Sequence, residues 1–271
     1  MSLYRSLPRP LAALILALAP LAAQTVVIQP TKAEKATETR TVPLAKGSSL
    51  KVKNLNGHVR VEAWDRAEVE FTGEFKPSSE GEQVKVVLEP SSGGLEIRGE
   101  YPKHEGRGSY RGPECQMTLK VPRQVRPSVD TVNGEITLTG TQGMAALTTV
   151  NGGVHASGLG EALKAHTVNG SITLDRVSGA LELGTVNGAI KGTGLDGTRG
   201  GIKAETVNGA IHLQLAGVQG RLKASTLNGS ISFKAQGAEQ VDVKRHRVSA
   251  VFPGRNQAIE LGTVNGSITL E

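Results

Sequence analysis

The residues able to support acid–base or metal chemistry are scattered along this chain rather than clustered. The six histidines are His58, His104, His155, His166, His212 and His246. None sits in a spacing that would bring several nitrogen or sulfur ligands to one ion. His155 and His212 occupy positions where other copies of a repeat carry Thr or Lys, which marks them as outward strand residues. Glycoside hydrolysis needs two carboxyl groups facing one groove. Glu135, Glu161, Glu182, Glu205 and Glu260 do not recur at one position of the repeat. Neither a Gly-x-Ser-x-Gly elbow nor a Walker loop is present. Cys115 is the only cysteine, so no intramolecular disulfide can form, and it reads as a small buried side chain. These observations point to a non-catalytic chain with no metal and no cofactor.

Two further chemistries are suggested by the repeat and rejected on residue type. A calcium-binding β-roll needs Gly-Gly-x-Gly-x-Asp, whereas the polar residue here is a neutral Asn and Asp is sparse beyond position 131. An uncharged amide is a poor basis for a hard-cation site. Asn-Gly-Ser at Asn169, Asn228 and Asn265 matches a glycosylation sequon, but other copies replace the Ser by Gly, Ala or Glu. A turn, or a ladder of asparagines bonded from coil to coil, explains the Asn better.

The element that must position these residues is the repeat itself. Thr-Val-Asn-Gly starts at Thr131, Thr149, Thr167, Thr185, Thr206 and Thr263, with Thr-Leu-Asn-Gly at Thr226. The first four copies are 18 residues apart, and later gaps are 21, 20 and 37. An earlier copy reads Asn56-Gly57. The expected structural turns are Asn56, Gly57, Asn133, Gly134, Asn151, Gly152, Asn169, Gly170, Asn187, Gly188, Asn208, Gly209, Asn228, Gly229, Asn265 and Gly266. Each period splits into two nonapeptides: Val168, Ile172 and Leu174 are answered by Val177, Leu181 and Leu183, and these six apolar side chains are expected to be buried in the coil. The alternation after each turn is strand periodicity, and Asn-Gly favours turns because both residues tolerate positive φ. An all-β solenoid of about 18-residue coils follows, with coils stacked at the interstrand spacing and none stable alone.

Composition agrees. The chain has 271 residues with 34 Gly and only 3% aromatics, which suits a narrow aliphatic core. Net charge is +6, yet apart from Lys244-Arg245-His246-Arg247 there is no basic stripe, and aromatics for base stacking are scarce. Nucleic-acid binding is not expected.

At the N-terminus Arg5 and Arg9 precede the apolar run 11–19, and Leu21-Ala22-Ala23 offers a cleavage point before Gln24. Residues 1–23 are expected to be a secretory signal peptide. The other reading is a membrane anchor, for which the run is short. No later segment is apolar enough for a stable transmembrane span. Residues 24–47 read as a polar linker, 48–128 as an N-terminal β region holding the first coil, and 129–271 as the regular solenoid. Ordered structure is expected from Ser48. Polar, Gly-rich residues 101–113 read as a mobile loop. Residues 229–262 read as a degenerate coil in preference to an inserted loop. No polar cap follows the last repeat, so either the degenerate segment folds back or this end meets another molecule.

Residues 56–65, Asn-Gly-His-Val-Arg-Val-Glu-Ala-Trp-Asp, together with the strand at 68–71, Leu-Lys-Val-Pro at 119–122 and the Thr-Val-Asn-Gly copies, resemble a bacterial β-strand-repeat family of unknown function that carries the provisional name adhesin. The resemblance covers about 48–271. It implies an exported solenoid-like protein and transfers no binding residues. The function expected is a cell-envelope adhesin or display scaffold, periplasmic or at the surface, whose envelope or surface ligand is unknown. Alternatives are a structural protein that self-associates through the solenoid end and, further off, a carbohydrate-active enzyme.

Overall fold

The computed structural model describes residues 24–31, 34–104, 110–196, 199–217, 219–234 and 237–271. Among these the regular elements are all strands. The N-terminal part contains β1 (Val26–Ile28), β2 (Ala36–Pro43), β3 (Ser49–Lys53), β4 (Val59–Trp64), β5 (Glu68–Lys76), β6 (Lys85–Ser91), β7 (Gly94–Glu100) and β8 (Glu114–Pro122). The regular array follows with β9 (Arg126–Asp130), β10 (Ile136–Thr139), β11 (Ala145–Thr148), β12 (Val154–Leu159), β13 (Leu163–Asn169), β14 (Ile172–Val177), β15 (Leu181–Asn187), β16 (Ile190–Asp196), β17 (Ile202–Asn208) and β18 (Ile211–Ala216). The last part holds β19 (Gly220–Asn228), β20 (Ile231–Phe233), β21 (Gln240–Lys244), β22 (Arg247–Phe252), β23 (Ala258–Asn265) and β24 (Ile268–Leu270).

Strands alternate between two sheets. One has thirteen strands in the order β1-β6-β7-β3-β9-β11-β13-β15-β17-β23-β19-β22-β21; the other has eleven, β2-β5-β8-β4-β10-β12-β14-β16-β18-β24-β20. The middle of each sheet is parallel, as a solenoid requires, and antiparallel pairs close both ends of the first sheet and the N-terminal end of the second. Buried aliphatics stack in register between the sheets. In the second sheet Ile136, Val154, Ile172, Ile190, Ile211 and Ile268 form one such column. A β-solenoid of coils with two strands each is therefore the fold.

Several features differ from the sequence reading. The segment 24–47, expected as a linker, contributes β1 to one sheet and β2 to the other, so ordered structure starts before Ser48. Its alternation was hidden because both strands are edge strands: β2 buries only Val42 among its eight residues. Residues 1–23, expected to be a signal peptide, lie outside the described residues, as do 105–109 of the 101–113 loop. Residues 229–262 are not a degenerate coil. β21 and β22 form an antiparallel hairpin that continues the first sheet beyond β19. The segment folds back, so the last repeat is not an open end.

The final coil is instead wedged inside the array: β23 lies between β17 and β19, and β24 between β18 and β20. Side-chain complementarity explains this order. Across the first sheet the inward column reads Leu147, Ala165, Leu183, Ala204, Leu261, Ala224. Large and small side chains alternate without a break, as close packing favours. The outward column reads Lys164, Glu182, Lys203, Glu260, Lys223. Stacking coils in chain order would put Ala204 beside Ala224 and Lys203 beside Lys223, leaving a thin core under a like-charge pair.

A double-mutant cycle tests this adjacency. Leu261→Ala is expected to cost about 2–5 kcal/mol by opening a cavity, and Ala204→Leu about 1–3 kcal/mol by overpacking. In the double variant the larger side chain introduced by Ala204→Leu fills the space vacated by Leu261→Ala. The combined loss should then be at least ~0.5 kcal/mol smaller than the sum. Strict additivity in urea denaturation would place the two residues apart.

A candidate binding cleft at the asparagine corner

Each Asn-Gly pair turns the chain from the first sheet into the second. The eight asparagines stack as Asn56, Asn133, Asn151, Asn169, Asn187, Asn208, Asn265 and Asn228. Every Nδ2 after the first donates to the preceding Oδ1 at 2.8–2.9 Å. Of the three sequon asparagines, Asn169 and Asn265 both donate and accept along the ladder, and Asn228, its last rung, donates its Nδ2 to Asn265, so the Asn serves the corner rather than a glycan.

The glycines beside them are required by proximity. A Cβ on Gly134, Gly152, Gly170, Gly188, Gly209, Gly229 or Gly266 would lie 1.8–2.1 Å from the carbonyl oxygen of the glycine in the neighbouring coil. Only Gly57 of the corner glycines has a positive φ, +123°. The expectation that Asn-Gly marks left-handed turns is thus replaced by a steric one. The same carbonyls accept buried threonine hydroxyls, as from Thr149 to Gly134 at 2.9 Å and Thr167 to Gly152 at 2.8 Å.

The residue between Thr and Asn is not in the core. Val168 is 39% exposed while Thr167 is 5% exposed. Leu55, Val150, Val186, Val207, Leu227 and Val264 are exposed in the same way, forming an aliphatic ridge beside the amide ladder. The sequence reading placed Val168 inside because valine is apolar. The strand has to present Thr inward to satisfy the glycine carbonyl, and the alternation then turns Val outward.

The ladder begins at a polar network. Asn54 holds the position that Thr fills elsewhere, and its Nδ2 donates to the carbonyls of Gly57 at 3.1 Å and Cys115 at 2.9 Å. The Tyr101 hydroxyl donates to Asn54 Oδ1 at 2.6 Å and accepts from the Asn56 amide at 3.1 Å. Burial raises the Tyr101 phenol far above its ordinary range. Thr131, one coil on, has a buried hydroxyl with no partner among the described residues, since Asn54 already occupies the Gly57 carbonyl. Burial also pushes the Cys115 thiol up to about 12, which suits an inert core residue.

Beside this start lies an open cleft of about 1240 Å³, bounded by the beginning of β2, the end of β5, residues 110–114 and the first corners. Lys35, His58, Lys76, Tyr110, Arg111 and Glu114 line it. Asn56 Nδ2 reaches the Pro113 carbonyl at 3.3 Å, tying the ladder to the cleft wall. Although burial would raise it, hydrogen bonds from Gln116 and Lys76 hold the Glu114 carboxyl below its usual range. The Lys76–Glu114 pair, at 3.1 Å, is therefore committed to the wall. His58 Nδ1 accepts the Glu135 amide at 3.1 Å, which makes its Nε2 the proton-bearing nitrogen when neutral. Tyr110 stacks on His104 with ring centroids 3.8 Å apart and donates its hydroxyl to Glu82 at 2.7 Å. The described flanks of the 101–113 loop are thus pinned through Tyr101 and Tyr110. Lys35 and Arg111 are exposed and form no ion pair with another described residue.

Other candidates are placed elsewhere. His155 lies outward, 3.6 Å from Glu135, and His166 lies 3.6 Å from Glu182. Trp64 is held by its Nε1 on the Glu68 carbonyl at 2.8 Å, with the Arg66 guanidinium 4.9 Å from the ring centroid. Among the described residues no three His, Cys, Asp or Glu side chains form a group able to hold a metal ion. None of these residues forms a helix long and apolar enough to cross a membrane. Sequence reasoning singled out residues 101–113 but missed Lys35, His58 and Lys76 as their neighbours, because strand pairing alone brings them together.

A family model described as Toastrack DUF4097 matches residues 34–271. No curated protein matches the chain. Among solved structures, a provisionally named adhesin from Bacteroides fragilis is similar at 10% identity over 87% of this chain and 97% of that one, with a TM-score of 0.50. A provisionally named cell adhesion protein from Clostridium sporogenes aligns at 12% identity, covering 88% of this chain and 99% of its own, with a TM-score of 0.40. A provisionally named adhesin from Parabacteroides distasonis aligns at 11% identity over 87% and 97%, with a TM-score of 0.44. At these identities the likeness is one of fold.

Proposed function

This chain belongs to the Toastrack DUF4097 family, and from that premise we propose that it is an exported, non-catalytic protein of the cell envelope that binds an anionic glycan in the cleft at the asparagine corner. The observation that carries this reading is the pairing of Lys35 and Arg111, two cations without an ion pair among the described residues, with the fixed wall of Tyr110, Lys76 and Glu114 around one large open cleft. A guanidinium and an ammonium suit carboxylate or phosphate groups on a sugar chain. The solenoid supplies rigidity, so the cleft is formed before its ligand arrives. Export rests on the N-terminal pattern of Arg5, Arg9 and the apolar run 11–19. The adhesin name of the B. fragilis protein agrees with a surface or envelope role. The non-catalytic assignment is supported by the state of the cleft carboxylates: Glu114 is ion-paired, and among the described residues lining the cleft Glu34 has no second free carboxyl to complete an acid–base pair.

Cell fractionation tests the location, and a glycan array with the mature chain tests the ligand. Lys35→Ala combined with Arg111→Ala is expected to weaken binding of an acidic glycan at least about tenfold, the loss of ~1.4 kcal/mol. The melting temperature should not change. Undiminished binding by this variant would remove the cleft from consideration. Turnover of a polysaccharide, abolished by one carboxylate substitution, would overturn the non-catalytic reading.

A further inference from the structure

At the distal end of the solenoid the two sheets are unequal. The second sheet stops at β20, but the first continues beyond β19 through β22 to β21. All five residues of β21 are exposed, and Val241 and Val243 are 49% and 62% exposed. These valines pair with Ala250 and Val248, which are buried, so they share the core-facing side of the sheet at a point where no opposing strand remains among the described residues. The other terminal strands are blunted in familiar ways. β1 and β20 have three residues each, and β2 carries Glu38, Arg40 and a final Pro43.

The backbone phase of this edge is fixed. The His246 carbonyl accepts from Thr226 of β19, and the Val251 carbonyl accepts from Glu239 on the other side. Hydrogen-bonding direction alternates along an antiparallel strand. Arg247, Ser249 and Val251 therefore face β21, where Ser249 and Arg247 are opposite Asp242 and Lys244. The amide and carbonyl groups of Val241 and Val243 consequently point to the free edge.

We propose that β21 pairs antiparallel with β21 of a second copy of this chain, on a two-fold axis through Val243. In that register Val243 meets its own mate, and Asp242 meets Lys244 of the second copy twice. A two-fold through Asp242 satisfies the same backbone groups but places two aspartates opposite each other. Charge complementarity selects the first. The pairing joins the two overhanging inner faces, so Val241 and Val243 of both copies form one apolar strip. The interface is short beside those of stable complexes, so the dimer is weak and forms with rising concentration.

Cysteine trapping on the full chain is the direct test, because the one native thiol, Cys115, is buried. Opposed residues of a hydrogen-bonded antiparallel pair lie about 5.5 Å apart at Cα, within disulfide range. Val243→Cys should give a covalent dimer under mild oxidation at least about tenfold faster than Val241→Cys or, on the distant ridge, Val186→Cys. Asp242→Lys should reduce the dimer fraction of the otherwise native chain in sedimentation, and Asp242→Lys with Lys244→Asp should restore it. Equal trapping at all three positions, or no trapping at a Val243→Cys thiol that reacts freely with maleimide, would overturn the proposal. So would a second-site charge swap that fails to restore association.

Discussion

Ending the chain after Gln257 is expected to cost the protein its cooperative fold rather than trim one coil from it. In a solenoid stacked in chain order, removing the last repeat exposes a single new end, and the remaining coils keep their contacts. Here the last repeat is interior. β23 pairs with β17 on one side and β19 on the other, while β24 joins β18 to β20. Deleting residues 258–271 removes four inward apolar side chains, Ile259, Leu261, Ile268 and Leu270, each at most 3% exposed. At roughly 1.5–3 kcal/mol each that is about 6–12 kcal/mol, comparable with the whole stability of a typical domain. It also breaks four strand pairings, leaving β17, β18, β19 and β20 each with an unpaired edge, and the strands beyond the gap lose their connection to the array. The expected result is loss of the cooperative melt followed by circular dichroism, with exposed apolar surface that binds a hydrophobic dye. A truncated chain that melts cooperatively within a few degrees of the full one would show that β17 and β19 can close on each other, and that the wedge is dispensable.

The wedge also shows what was legible in the sequence and where legibility stopped. Period, sheet alternation and the solenoid class follow from Thr-Val-Asn-Gly and its nonapeptide partner, because a repeated local pattern has one repeated local solution. The order of coils does not follow from period. It was written in a quieter signal, the Leu/Ala column at positions 147, 165, 183, 204, 224 and 261 and the Lys/Glu column beside it. Both break in chain order and are restored when the last coil is moved inward by one place. The Val ridge was misread for a different reason: hydrophobicity assigned Val168 to the core, but a buried glycine carbonyl needs a donor, and Thr167 supplies it at 2.8 Å. The cleft was legible only in part. Residues 110–112 stand out as a break in the period, whereas Lys35 and Lys76 reach them through antiparallel pairings of β2 with β5 and of β5 with β8, and His58 through the parallel pairing of β4 with β8. No local pattern announces those pairings.

Replacing Gly188 with Ala should be among the most damaging single-methyl changes in the chain, although Gly-to-Ala substitutions at relaxed positions stabilise by about 0.4–1 kcal/mol through the unfolded state. The added Cβ would stand 1.9 Å from the Gly170 oxygen and 2.5 Å from its carbonyl carbon. Neither atom can retreat. The Gly170 carbonyl accepts the Thr185 hydroxyl at 2.8 Å, and on either side Asn187 donates to Asn169 and accepts from Asn208, both at 2.9 Å. Relief therefore means parting the coils at the corner, which strains the threonine bond and the amide ladder together. The cost should exceed the ~1–3 kcal/mol of ordinary overpacking. For a domain of this size that corresponds to a fall in melting temperature on the order of 10 °C. Gly262 is the internal control. It lies in β23, has no left-handed φ, and an added Cβ would come no closer than 3.8 Å to a neighbour, the Glu205 side chain. Gly262→Ala should melt at or slightly above the parent temperature. If Gly188→Ala also melts there, the glycines of the corner are not demanded by contact between coils. The periodicity of Asn-Gly would then need another cause.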